Sequence, residues 1–148
     1  EPEMGMSSMF GQRRAVVVVA TVLLAATGCA HETGLGISVE GGLGNQTMMT
    51  RAEETSGMDA LIEGQLGWTD ENCLGLALDG SLVITPVVFP YGTIFLPEWD
   101  GIQLRDGTVV MIGEQMESGG GFVTPPPDIM RHVPLNCHVE GEIPFMNQ

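Results

Sequence analysis

Lysine is absent from this sequence, and its 5 basic residues, all arginines, stand against 19 acidic ones for a formal net charge of -14. A surface of that sign repels phosphate, which argues against non-specific nucleic-acid binding and against a peripheral grip on anionic lipid. Aromatics are scarce, at 5 Phe, 2 Trp and 1 Tyr, and with frequent Asp-Gly and glycine punctuation this fits short strands better than a helical design. The 3 cysteines form no Cys-x-x-Cys pair, so the paired spacing of a structural zinc site is missing. No serine sits in a Gly-x-Ser-x-Gly elbow. The main apolar run, 15–27, falls short of the roughly 20 residues that a helix needs to cross a bilayer.

That short run has a different meaning in its context. Arg13 and Arg14 precede it, and small residues lead from it into Cys29, which is the three-part layout of a secretory signal. The end of the layout, Ala26-Thr27-Gly28-Cys29, resembles the lipobox of bacterial lipoproteins. The resemblance implies diacylglycerol on the Cys29 sulfur, palmitate-like acyl chains, cleavage before Cys29 and retention on the extracytoplasmic face of the cell membrane. Ala26 stands where the family most often has leucine, and the alternative is an ordinary secretory signal that ends in a cysteine. Each buried methylene contributes about 0.8 kcal/mol, so two acyl chains anchor a domain without a membrane-spanning helix. Setting aside Glu1, Glu3, Arg13 and Arg14 leaves 17 acidic and 3 basic residues, so the acidity belongs to the exported part.

Three segments follow: a signal peptide at 1–28, a flexible tether at 29–60 and a β domain at 61–148. The tether is read from glycine-rich 31–45 and polar 50–57, which carry too few large apolar residues to offset ordering entropy. In the domain, Ile62, Gly64, Leu66 and Trp68 alternate as one face of a half-buried strand. Asp79-Gly80 marks a turn between 73–78 and 81–85; a strict two-residue hairpin leaves both of its faces apolar, so either both faces are apolar here or the register is a different one. Asp106-Gly107 predicts a second hairpin with Leu104 opposite Val109 and Ile102 opposite Met111. That register buries Ile102, Leu104, Val109 and Met111 together. Prolines 86, 90 and 97 confine their strands to edges or ends. Gly119-Gly120-Gly121 predicts a bulge or a close backbone approach rather than a phosphate loop, since no strand-to-helix context with lysine follows. A last strand is expected to point Cys137, Val139, Gly141, Ile143 and Phe145 one way and His138, Glu140 and Glu142 the other. The expected fold is all-β, a small antiparallel barrel or compact sandwich of five to eight short strands.

If Cys29 carries the lipid, Cys73 and Cys137 remain as an even pair in an oxidising compartment, and a disulfide between them is the economical reading. The competing reading, a metal site from Cys73, Cys137 and His138, lacks a fourth ligand. The stripe His138, Glu140 and Glu142 is the candidate surface site, since alternate residues on a strand can converge on a cation or a sugar hydroxyl; its plainer reading is a solvated sheet face. Asp70-Glu71 and Glu98 with Asp100 are further carboxylate groups without calcium-loop spacing. No catalytic residue, metal or cofactor is assigned. With Cys73, Asp-Gly turns, the triple glycine and Cys137, the domain resembles small β domains of lipoproteins from high-GC Gram-positive bacteria. The function expected is a non-enzymatic binding or structural module of the cell envelope, with an envelope protein or glycan as partner and no nucleic acid. The alternatives are a small hydrolase or carbohydrate-active enzyme using surface carboxylates, and an extracellular cation-binding module.

Overall fold

The structure is a computed structural model and describes residues 36–42, 44–54, 58–131 and 133–147. The signal segment and Cys29 lie outside the described residues. Among the described residues no helix is long and apolar enough to cross a membrane.

The architecture is all-β, as expected, in two sheets. The larger is a curled half-barrel. Its strands are β1 (Ile37–Gly41), β2 (Thr47–Arg51), β3 (Ala60–Trp68), β4 (Leu74–Leu78), β5 (Ile84–Pro86), β6 (Val88–Phe89), β10 (Gln115–Val123) and β11 (Ile143–Met146), with β7 (Ile94–Leu96), β8 (Gly101–Gln103) and β9 (Val109–Met111) forming the smaller sheet. The order across the large sheet is β1-β2-β6-β11-β10-β3-β4-β5. Its neighbours pair antiparallel except around β6, which runs parallel to both β2 and β11. The sheet curls far enough for Thr47 at the start of β2 to bridge Cys73, and the Thr47 N–H donates to the Asn72 carbonyl at 3.0 Å.

Strands β1 and β2 correct the expected tether, because within 29–60 the residues 37–41 and 47–51 are part of the sheet. In β2 the physical reason is burial on both faces: Met48 and Met49 are neighbours in sequence, point to opposite sides and are both fully buried. Such a strand has no polar alternation by which to recognise it. The pattern in β3 is the expected one, with Ile62, Gly64 and Leu66 buried and Glu63 and Gln65 exposed.

Two apolar clusters result, one on each face of the large sheet. The first gathers Met48, Ile62, Leu66, Leu74, Leu76, Val87, Phe89, Met116 and Met146, and is closed by Ile102 and Val110 of the small sheet. The second joins Ile37, Met49, Val88, Ile143 and Phe145 to Cys73, Val133 and Cys137. Its cover is the stretch 124–142, which holds only one helical turn (Pro127–Met130) and a 3-10 turn (Leu135–Cys137).

Both Asp-Gly turns are present, but neither closes a two-residue hairpin. At the second, Ile102 faces Val110 and Gln103 faces Val109. That is one position away from the expected register. Gly107 is the cause: it adopts φ of 90° and adds a residue to the loop, while Asp106 caps the Thr108 N–H at 2.9 Å. A one-residue shift exchanges the faces of a strand. Ile102 and Val110 are therefore the buried pair, with Val109 and Met111 on the other side. At the first turn Ala77 faces Ile84, so Leu82 and Val83 fall outside the ladder. The triple glycine is a close-approach site, as expected. A Cβ on Gly120 would strike the Phe145 carbonyl, and one on Gly121 would lie 2.5 Å from Met58 Sδ.

The expected last strand shortens to β11. Cys137 lies in the 3-10 turn with its N–H on the Pro134 carbonyl at 2.8 Å, and Gly141 turns the chain at φ of 101°. His138, Glu140 and Glu142 therefore do not form a stripe on a strand face.

Candidate functional site

Three loops at one end of the large sheet enclose a groove of about 430 Å³. The first is the turn after β3. Thr69 organises it: its hydroxyl accepts the Cys73 N–H at 3.0 Å and its carbonyl accepts the Asn72 N–H at 2.9 Å. Asn72 takes φ of 65°, and Asp70 and Glu71 are left exposed at the tip.

The second loop is 134–138. Asn136 fixes it, because its Nδ2 donates to Thr47 Oγ1 at 3.0 Å, to the Asn45 carbonyl at 3.2 Å and to the Asn72 carbonyl at 3.4 Å. His138 Nε2 lies 2.8 Å from the Val133 carbonyl, which orients the ring. Behind these two loops Cys73 and Cys137 are paired at disulfide distance, with Cα atoms 5.2 Å apart and both residues buried. The pair ties together the two segments that carry the polar walls. It also removes both thiols from any metal site, and among the described residues no group of three or more His, Cys, Asp or Glu is placed to hold a metal.

The third wall is apolar. Asp79 and Gly80 turn at positive φ, the Ser81 hydroxyl accepts the Val83 N–H at 3.0 Å, and Leu82 and Val83 project with 99% and 71% of their surface exposed. Ile84, Pro86 and Trp68 complete the groove. Trp68 is fixed from beneath. Its Nε1 donates to Asp100 Oδ1 at 3.2 Å and its ring meets Phe95 edge-on at 5.4 Å between centroids.

Of the stripe read from the sequence, only His138 lines this groove, where it joins Asp70 and Glu71; Glu140 and Glu142 do not. Sequence reasoning missed Asn136, Leu82 and Val83. The signal for the latter two was the apolar-on-both-faces conflict at the first Asp-Gly turn, which a two-residue hairpin cannot resolve.

Chemically, the groove offers an acceptor pair, an imidazole, an amide and an apolar wall. Among the described residues no arginine lines it, so it suits a neutral or cationic ligand over an anion. Elsewhere, Glu40, Arg51 and Asp106 are among the charged groups tuned by their surroundings. Burial pushes the Glu40 carboxyl up, partly offset by the Phe95 N–H. Burial lowers the Arg51 guanidinium, which packs 5.5 Å from the Phe145 ring centre. The Thr108 N–H and hydroxyl lower Asp106. Neither a known protein family, nor a curated protein, nor a solved structure matches the chain.

Proposed function

We propose that this chain is an exported lipoprotein, held on the extracytoplasmic face of the cell membrane through Cys29, whose β domain is a non-enzymatic binding module of the envelope. The groove framed by the Cys73–Cys137 pair carries the binding part of this reading. Two walls are locked by Asn136 and by the cysteine pair, whereas the facing wall presents two bulky apolar side chains to solvent. Exposed apolar groups beside fixed polar ones are the composition of a ligand groove. The anchor rests on the Arg13 to Cys29 sequence, and a buried cysteine pair agrees with an oxidising compartment.

Intact mass of membrane-associated protein from a native-like host tests both parts. The expected result is a chain starting at Cys29 with diacylglyceryl mass, which gains the mass of two hydrogen atoms on reduction. Unlipidated protein in the medium would reject the anchor, and an unchanged mass on reduction would reject the disulfide.

A further inference from the structure

We infer that the outer face of the small sheet is a second binding site, for a neutral pyranose ring of a glycan, with Trp99 as its stacking platform. The face follows from the register. Ile94, Gln103 and Val109 stand side by side across β7, β8 and β9, while Phe95, Ile102 and Val110 point inward to the first core. The turn 97–100 forms a lip, and the groove between lip and strands has a volume of about 330 Å³.

Trp99 is 57% exposed, which forgoes much of the apolar burial that a tryptophan can supply. Its turn is nevertheless held at several points. The Trp99 N–H donates to the Leu96 carbonyl at 3.1 Å, and the Asp100 carbonyl accepts the Ile112 N–H at 2.9 Å. The Asp100 carboxylate accepts the Trp68 indole at 3.2 Å. Asp100 itself adopts φ of 49°, a left-handed conformation that disfavours residues with a side chain. A strained, multiply bonded turn that displays a large aromatic ring is preorganised to receive a flat partner, since little ordering remains to be done on binding.

The polar groups narrow the class of partner. Besides the Trp99 indole, Glu98 and the Gln103 amide are the hydrogen-bonding side chains of this groove, and among the described residues no cation lines it. Gln103 Nε2 already donates to the Gly107 carbonyl at 3.4 Å, which leaves Oε1 and a second N–H free to face a ligand. An anion would meet Glu98 without a counter-charge, and a bare cation would meet a mostly apolar surface. A pyranose has an apolar C–H face for the indole and a rim of hydroxyls for an amide and a carboxylate.

The test is a titration of the full-length chain with cellohexaose, maltohexaose and chitohexaose in turn, following the two indole N–H signals by NMR, with Trp99→Phe used to assign them. The expected result is a saturable shift of the Trp99 signal with at least one oligosaccharide. Trp99→Ala should weaken that binding by about tenfold or more, whereas Leu82→Ser, in the other groove, should leave it unchanged. Absence of a saturable Trp99 shift with all three at about 10 mM, a concentration that detects even millimolar affinity, would overturn the inference. So would equal affinity in Trp99→Ala with its melting temperature intact.

Discussion

The two faces of the large sheet are closed by different means. On one, the three strands β7, β8 and β9 supply Ile102 and Val110, and the closure is apolar packing between two hydrogen-bonded sheets. On the other, an irregular stretch supplies Val133 and Cys137 and is tied to the start of β4 through Cys73. A sheet satisfies its own backbone and can be held by side chains alone. An irregular cover has few internal hydrogen bonds and opens at low cost, so a covalent tie has most effect there. The first groove sits on the tied cover, and the second sits on the sheet.

Loss of the tie should be the largest single effect. With a sequence separation of 64, the chain-entropy model gives about 4 kcal/mol, so the Cys73→Ser, Cys137→Ser double variant should melt well below the parent in denaturant titration. Next is Ile102→Ala, fully buried in the sheet-closed core. It should cost about 3 kcal/mol, with the loss unchanged by reductant. Equal sensitivity of both defects to reductant would dissolve the contrast between the two closures.

A smaller effect is expected at Gly107. Its φ of 90° sets the register that buries Ile102 opposite Val110, and nothing lies within 4 Å of a Cβ placed there. The cost of Gly107→Ala is therefore backbone strain alone, roughly 1–2 kcal/mol in denaturant melts. An unchanged midpoint would mean that the turn does not use this conformation.

The smallest effect belongs to Glu40 of β1, whose carboxylate accepts the Phe95 N–H of the small sheet. Burial raises its folded pKa above the ordinary value of 4.5, so the folded state holds the proton more tightly than the unfolded chain. Its contribution is then fully present below that value and declines as pH rises through the folded pKa. Glu40→Gln should raise the melting temperature at about pH 7 and change it little at about pH 3.5. A loss of stability at neutral pH would contradict this.

What could be read from the sequence divides along the same line. Period-two alternation announced β3, because one of its faces is wet. The cysteine pairing was legible from counting, once Cys29 was assigned to lipid. Strand β2 was not legible, since a strand buried on both faces and rich in methionine, as at Met48-Met49, resembles a linker with stray apolar residues. The register of the second hairpin was missed, and that of the first was left open, because Asp-Gly identifies a turn without fixing the length of its loop. The site was partly legible. His138 was singled out and does line the first groove, but it arrives there on a turn locked by Asn136, whose three hydrogen bonds reach residues distant in sequence. The positions of Leu82, Val83 and Trp99 likewise depend on loop geometry that alternation does not encode.

The account turns on the claim that the Cys73–Cys137 tie holds the irregular cover and the groove built on it. Hydrogen exchange of the full-length chain, oxidised against reduced, measures this most directly. The expected result is faster exchange on reduction across 69–74 and 133–138, with β7, β8 and β9 unaffected. Exchange that is unchanged on reduction, or faster by the same factor throughout both sheets, would contradict it.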